Sequence, residues 1–407
     1  MKVLLIGGGG REHALAWTLA RSQGCEELHA APGNPGIAAL GACHPVRPAD
    51  AESVLALGRA LGIDLVVVGP EAPLVAGLAD ELRRAGIAVF GPSRAAARIE
   101  GSKAFAKDVL HAAHVPTAAT LPVARPPCVV KADGLAAGKG VFVCRTPEEL
   151  DAGLRAAAAL GGPTVLEELL EGEELSVFAV ADGERSVALG AARDYKRSLD
   201  GDAGPNTGGM GAFSPAPGVG PAELEELVDL AHRPVLAELA RRGSPFTGLL
   251  YAGLMLTADG PRVLEFNCRF GDPETQALLP ALEGDLLPTL AAAAAGDLTG
   301  VVPPVVRTAA VTISLVASGY PERGDTGSEI GGLAEAEAAG AIVFHAGTAL
   351  REGRLITNGG RILNVTATAD DLDAARDAAY AAAELVSFAG CRYRRDIARP
   401  GGVCVGG

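Results

Sequence analysis

Lys131-Ala-Asp-Gly-Leu-Ala-Ala-Gly-Lys139-Gly140 is the stretch on which the fold turns. Three glycines and two lysines in ten residues give it the look of a phosphate-binding loop. It is not a Walker loop. Residue 133 is Asp where that motif has Gly, and Gly140 stands where a Ser or Thr would hold magnesium. The flanks decide its setting. The apolar runs Cys128–Ala132 and Val141–Cys144 border it on both sides, so it reads as the long tip of a hairpin. Its glycines let backbone N–H groups close over a polyphosphate, and Lys131 sits at a strand end where it can point inward.

Toward the C-terminus, helix Glu148–Leu160 follows, then strands Thr164–Glu168, Ser176–Ala181 and Val187–Ala192. Helix Ala222–Arg241 separates these from strands Leu249–Leu256 and Arg262–Phe266. From Pro116 to about Gly300 the pattern is therefore an α+β unit with antiparallel pairing. Toward the N-terminus the pattern is different. Strands Val3–Ile6, Leu28–Ala31, Ile63–Val68 and Ile87–Phe90 alternate with helices Arg11–Arg21, Ala51–Leu61 and Leu74–Ala85. That alternation implies an open parallel α/β sheet covered on both faces, with binding at the carboxyl ends of the strands. Beyond the Pro303-Pro304 breaker come strands Ala309–Ser318, Ala341–Thr348 and Arg361–Ala367 and an alanine-rich helix, Asp370–Ser387. The expected organisation is α/β and α+β multidomain, with domains at 1–101, 102–300 and 301–407 and a hairpin subdomain at about 116–180.

Composition bounds the function. A chain of 407 residues is long enough for two to four domains. Hydrophobic residues make up 48% and charged residues 21%, as in globular proteins. A net charge of −14 argues against a nucleic-acid or membrane-surface binder, while leaving room for a local basic pocket. No apolar run approaches the roughly 18–20 residues of a membrane span. The four-residue run Val3–Ile6 is too short for a signal peptide, so a cytoplasmic location is expected. Seven scattered cysteines, none in a C-x-x-C pair, read as buried thiols in a reducing compartment. His111 and His114 lack an acidic or thiol partner at ligand spacing and read as helix-surface residues.

Further segments carry chemistry. Gly7-Gly-Gly-Gly-Arg-Glu12 fails the dinucleotide fingerprint because Glu12 replaces its third glycine. A helix N-terminus with bare N–H groups beside Arg11 still suits a phosphate. The acidic run between Val165 and Glu174 reads either as a solvated face or as a nucleotide hinge. Glu265 and Asn267 stand at i and i+2 of a strand, so they project from one face about 6.5–7 Å apart. A carboxylate and an amide oxygen so placed suit magnesium, which takes few protein oxygens and completes its shell with phosphate and water. Arg269 follows with the same parity. Gly204–Gly211 has four glycines in eight residues and reads as a ligand-contacting loop, with Lys196 and Arg197 nearby for anionic substrates.

Taken together, the strings GREHA (10–14), APGN (31–34), VGPEAPL (68–74), EGSKAF (100–105), KADGLAAGKG (131–140), GPNTGGMGA (204–212), LLYAGLM (249–255) and EFNCRFGDPE (265–274) resemble the phosphoribosylamine–glycine ligase family, the glycinamide ribonucleotide synthetases of the ATP-grasp superfamily. HAGT (345–348) and TNGGR (357–361) extend the resemblance into the last domain. It implies a central ATP-grasp fold and a C-terminal mixed α/β domain. It implies ATP-dependent joining of glycine to 5-phosphoribosylamine through glycyl phosphate, the second step of purine (IMP) synthesis, by a monomer needing magnesium or manganese. The alternative is another ATP-grasp carboxylate–amine ligase of purine synthesis. By motif, Lys103 and Lys131 would contact ATP phosphates with Gly138, Lys139 and Gly140. Glu167 and the backbone near Leu170 would hold adenine, and Glu174 the ribose. Glu265 and Asn267 would bind the metal. Asp194, Lys196, Arg269 and Asp272 would face the substrates. Gly9, Gly10, Arg11, Asn206, Thr207, Gly208, Gly209, Met210 and Gly211 would complete the sugar-phosphate side. Lys131, Arg269 and Lys103 would carry catalysis as charge neutralisation. Three departures stand out, the first being Gly7–Gly10, an all-glycine loop where the family often has an Asn in the second or third place. Tyr195 occupies a position often His in the family, and Leu250–Leu256 carries no second metal-binding acid.

Overall fold

In the computed structural model, residues 1–135 and 140–399 are described. Gly138 and Lys139 lie outside the described residues. The first sheet has five parallel strands in the order β3-β2-β1-β4-β5. These are β1 (Lys2–Gly7), β2 (Glu27–Pro32), β3 (Ala42–Cys43), β4 (Leu65–Val68) and β5 (Ala88–Phe90). Val3–Ile6 and Leu65–Val67 are wholly buried, as the continuous apolar runs require of strands covered on both faces. Two helices of this region are α1 (Gly10–Leu19) and α2 (Ala51–Leu61). Asp50 caps α2 by accepting the Ser53 N–H, and Gly62 ends it in the left-handed region. The helix expected over 74–85 is instead two, α3 (Glu71–Ala76) and α4 (Leu78–Arg84). Gly77 between them has φ +99°, a value that breaks the first helix and begins the second at another angle. Helices α5 (Arg94–Gly101) and α6 (Lys103–Ala112) lead out of the sheet. Ser93 and Ser102 cap them. His111 lies exposed in the last turn of α6, and His114 is exposed just past its end.

The hairpin subdomain follows the sequence reading closely. Strands β6 (Cys128–Ala132), β7 (Val141–Cys144) and β8 (Thr164–Glu168) form a small sheet in the order β7-β6-β8, backed by α7 (Pro147–Leu160). Four further strands belong to a larger antiparallel sheet: β9 (Glu173–Asp182), β10 (Ser186–Asp194), β14 (Thr247–Thr257) and β15 (Gly260–Asn267). Between them lie the ribbon β11 (Arg197–Leu199) and β12 (Ala203–Asn206), the strand β13 (Gly211–Ser214) and helix α8 (Pro221–Arg241). Helices α9 (Glu274–Ala281) and α10 (Leu286–Ala295) and the ribbon β16 (Leu282–Glu283) with β17 (Val305–Val306) complete this part.

The C-terminal region contributes β18 (Ala309–Val316), β19 (Asp325–Glu329), α11 (Leu333–Ala338), β20 (Ile342–His345), β21 (Thr348–Arg351), β22 (Arg354–Gly359), β23 (Arg361–Ala369) and α12 (Leu372–Ala383). The strand expected over 341–348 is interrupted at Ala346-Gly347, and its halves join different sheets. The large sheet runs β15-β14-β9-β10-β13-β18-β23-β20. The central and C-terminal regions thus share one eight-stranded sheet, joined where β13 pairs with β18 (Phe213 opposite Val311). Of the six described cysteines, Cys128, Cys144 and Cys268 are buried and Cys43 is exposed, so the expectation of uniformly buried thiols holds for part of the set. No helix among the described residues is long and apolar enough to cross a membrane.

Candidate active site

One cavity of about 360 Å³ lies where the first sheet, the hairpin subdomain and the large sheet meet. Its lining includes seven bases and nine acids among the described residues. A concentration of charge this dense is held by pairing, because a lone buried ion is expensive.

Lys131 leaves β6 and is 6% exposed. Its Nζ donates to Leu264 O (2.9 Å) and lies 2.8 Å from Glu167 Oε2. The other Glu167 oxygen lies 3.0 Å from Lys107 Nζ. Lys107 also donates to Thr117 Oγ1 (2.7 Å) and Ala118 O (2.5 Å). Glu167, read from sequence as an adenine contact, is therefore already engaged by two lysines. Its backbone on β8, with Leu169 and Leu170, borders the cavity. Lys103 opens α6, where its N–H and the Ser102 hydroxyl donate to Asp133 (2.5 and 3.1 Å). Its Nζ donates to Gly134 O (3.0 Å). Burial and the neighbouring Lys131 pull its pKa down against the opposing pull of Glu265. Gly140 lines the same space.

Glu265 and Asn267 both reach the cavity from β15. Burial alone would push the Glu265 carboxyl up, but Lys196, Lys131, Lys103 and Arg269 outweigh it and hold the group below its ordinary value. An ionised carboxylate two residues from an amide oxygen suits one hard divalent cation with its remaining ligands from phosphate and water. No cluster of three or more His, Cys, Asp or Glu side chains able to hold a metal occurs among the described residues. The donor set fits a metal that arrives with a polyphosphate better than a resident all-protein cage.

Arg269 is clamped from three sides. Its guanidinium donates to Glu71 Oε2 (3.2 Å) and Asn267 Oδ1 (3.2 Å) and lies 3.3 Å from Glu100 Oε1. Glu100 also accepts the Cys268 N–H (2.7 Å). Asp194 ends β10 and is 6% exposed. Burial, then Glu274, Glu174 and Glu265, raises its pKa, and Lys196 opposes the rise. Lys196 Nζ lies 2.5 Å from Glu174 Oε2, so the carboxylate read as a ribose contact already has a cationic partner. Asp272 pairs with Arg361 NH2 (2.7 Å) and accepts from Gln276 (2.8 Å).

Asn206, Thr207 and Gly208 line the cavity, and Thr207 fastens to Lys196 O through its N–H and hydroxyl (both 2.8 Å). Gly209, Met210 and Gly211 do not line it. The chain turns there into β13, and Met210 is fully buried with its N–H on Tyr195 O (2.7 Å). Tyr195 points the other way from Lys196. It packs on Phe213, accepts the Ala398 N–H (2.9 Å) and does not figure in the cavity lining.

At the first helix only Arg11 lines the cavity. Its Nε donates to Glu12 Oε1 (2.6 Å) and its NH1 to Phe270 O (3.2 Å). At the start of that helix Glu12 Oε2 accepts the N–H of Gly9, the residue before its first turn (2.7 Å). Gly10 is pressed against Gln276 and Asn364, where a Cβ would lie 2.7 Å from Gln276 Nε2. Residues the sequence reading did not place at the site are Glu71, Glu100, Lys107, Tyr251, Glu274 and Arg361. Glu71, Glu100, Tyr251, Glu274 and Arg361 fall inside quoted strings, so the signal was present without a role attached. Tyr251 OH lies 3.0 Å from Ser176 Oγ, which reaches Glu274 (3.4 Å).

A hairpin subdomain facing an antiparallel sheet, with lysines on one and a Glu–Asn pair on the other, defines a ligase of the ATP-grasp fold. Family models described as phosphoribosylglycinamide synthetase match as N domain over 1–100, ATP-grasp domain over 101–275 and C domain over 310–400. The phosphoribosylamine–glycine ligase of Streptomyces coelicolor is 50% identical over 98% of this chain and 99% of its own length. That of Agrobacterium fabrum is 49% identical over 98% of both. The crystal structure of phosphoribosylamine–glycine ligase from Thermotoga maritima superposes with a TM-score of 0.86 at 36% identity, covering 97% of this chain and 100% of that one. The biotin carboxylase domain of Hydrogenobacter thermophilus 2-oxoglutarate carboxylase, in complex with MgADP, shares the fold at TM-score 0.71 and 17% identity, over 96% of this chain and 91% of that one. The chain belongs to the phosphoribosylamine–glycine ligase family. It is an ATP-dependent ligase of purine synthesis, of a class that works with a divalent metal.

Proposed function

We propose that this chain joins glycine to 5-phosphoribosylamine, forming glycinamide ribonucleotide, ADP and phosphate. The observation that carries the reading is the meeting of Lys103, Lys131, Lys196 and Arg269 with the Glu265–Asn267 pair around one cavity. A glycine carboxylate oxygen attacks the γ-phosphorus, the bond to the β-phosphate oxygen breaks and ADP leaves. The sugar amine then attacks the acyl carbon of glycyl phosphate, phosphate departs and the nitrogen loses a proton. Neither step needs a nucleophilic side chain. Both need charge neutralisation and alignment, with the amine within about 3–3.5 Å of the acyl carbon.

In this reading Lys103, Lys131 and Gly140 face the ATP phosphates, and the 167–170 backbone faces adenine. Glu265 and Asn267 hold magnesium or manganese, which supplies charge neutralisation at the phosphates when bound. The cavity's acids outnumber its bases, so a polyphosphate needs that added positive charge. Asp194, Lys196, Arg269, Asp272, Arg11 and the 206–208 turn face the other substrates. Glu174 acts first through Lys196, and Glu167 through Lys131. The division at 101/102 and 300/301 draws support from the family matches, which change at 100/101 and resume at 310. A monomer in the cytoplasm completes the proposal. ADP release that requires both glycine and phosphoribosylamine, with the product identified by mass, tests the function. Release supported by formate or bicarbonate in place of glycine would move the chain to a sister ligase.

A further inference from the structure

The turn that brings Asn206, Thr207 and Gly208 to the cavity is the far end of an excursion that leaves it at Lys196. Between them, residues 199–201 and 203–205 are exposed, and the ribbon β11–β12 holds only two paired positions, Arg197 with Asn206 and Leu199 with Ala203. A ribbon so short does not fix its own shape in water. Its tip is fastened from elsewhere. Arg394, near the end of the described chain and 2% exposed, donates NH1 to Asp202 Oδ1 (2.7 Å) and to Arg197 O (3.0 Å). Its other two nitrogens form a fork on Asp396 (2.7 and 2.6 Å). Asp396 Oδ2 in turn accepts the Gly201 N–H (2.8 Å), and the Arg395 N–H donates to Asp200 Oδ1 (2.8 Å). All three residues of the tip are thus tied to 394–396. The guanidinium stands 4.8 Å over the ring of Tyr195, the residue between Asp194 and Lys196.

Burying an arginine is costly unless its donors are used, and here NH1 is spent on the exposed excursion directly, while the fork holds Asp396, which in turn accepts from the excursion's Gly201. Arg394 is absent from the cavity lining. We propose that Arg394 is a positioning residue for the reaction: through Asp202, Asp396 and Tyr195 it sets the 196–208 excursion, and with it Lys196 and Thr207, at the substrate side of the cavity. The inference rests on the reading of Lys196 and the 206–208 turn as substrate contacts.

The test compares Arg394→Met and Arg394→Lys in the full chain by steady-state kinetics in each substrate and by hydrogen exchange of 196–208. Arg394→Met should lower kcat/KM for glycine and phosphoribosylamine by between about ten- and a hundredfold, since small misplacements remote from the chemistry cost that much. KM for ATP should stay within about twofold, because Lys103 and Lys131 do not touch the excursion. Arg394→Lys keeps one charge and should recover part of the loss. Should Arg394→Met fail to fold, Asp202→Ala, which removes one partner at the tip, replaces it in every arm. Faster exchange at 196–208 with unchanged kcat/KM would overturn the proposal. So would a loss shared equally by all three substrates. Lys196→Ala separates the premise from the inference. If it alone left turnover intact, the reading of the excursion as substrate-facing would fall. If it crippled turnover while Arg394→Met did not, only the positioning role would fall.

Discussion

Glu167 Oε2 lies 2.8 Å from Lys131 Nζ, a side-chain tie at the cavity wall between strands β6 and β8, which already pair through their backbones. Its second oxygen holds Lys107 from helix α6, so a single buried carboxylate aligns two cations from two parts of the chain. The arrangement has both a stability and a functional consequence.

Glu167→Gln leaves Lys107 and Lys131 buried without their shared counter-charge. Breaking a buried ion pair from one side costs about 3–5 kcal/mol, and the loss should fall in that range. Lys107→Met combined with Glu167→Gln should cost less than the two single changes together, because each removes the other's partner. Urea unfolding of the three variants checks this. Additive losses would show that the two side chains do not act as a pair.

Glu265→Gln removes one carboxylate charge where the metal and polyphosphate meet. Turnover should fall about 10²–10³-fold, as when one charge-stabilising group is lost from a catalytic site. The fold should persist, since no described hydrogen bond or ion pair of the scaffold is built on Glu265. Near-normal turnover at saturating magnesium would take this residue off the ligand set.

Lys131→Ala and Arg11→Ala should separate the two ends of the cavity. The first should weaken ATP and spare the product ribonucleotide. The second should weaken the ribonucleotide and spare ATP, because Arg11 comes from the first helix. Calorimetry with each ligand on each variant is the measurement. An Arg11→Ala variant that loses ATP affinity alone would reverse the assignment of the first domain.

Acid should loosen the junction between α1 and β20. His13 Nδ1 accepts the His345 N–H (2.8 Å), a role only the neutral ring can fill. Burial, then His345, lowers the His13 pKa from 6.5 to about 3. The unfolded chain therefore binds a proton at His13 from about pH 6.5 downward, while the folded chain does not until about pH 3. Stability from this group is full above the higher value and is lost as pH falls through the window. Wild type should lose up to about 1.4 kcal/mol per pH unit more than His13→Gln between these limits. Parallel pH profiles of unfolding free energy would contradict this.

The sequence displayed some features well because one local rule governs each. Val3–Ile6 and Leu65–Val68 are apolar without interruption and form central parallel strands. Glu265 and Asn267 share a face through the period of two alone. Cys128–Ala132 and Val141–Cys144 read correctly because both strands border one glycine-rich tip. What was hidden depends on contacts across hundreds of residues. Nothing local in Gly7–Gly10 says that Glu12 will cap Gly9 or that Gln276 and Asn364 will press on Gly10. Nothing in Arg361 announces a pairing with Asp272, 89 positions away. Gly209–Gly211 looked like a continuation of the substrate turn, yet Gly211 begins β13 and pairs with Ile313. Glycine-rich composition does not distinguish a backbone that nears a ligand from one that nears another strand.

The pairing of β13 with β18 bears on whether the chain can be divided. Severing it near residue 300 would not release a detachable module. It would strip β13 of a neighbour and bare a row of backbone donors and acceptors, the kind of open margin along which chains stick to one another. A fragment ending there should therefore clump in light scattering where the intact chain stays dispersed, and its cavity would lack Arg361. Evolutionary trimming of this protein would meet the same obstacle: strands β18, β23 and β20, all beyond residue 308, are stitched into the platform that carries the chemistry.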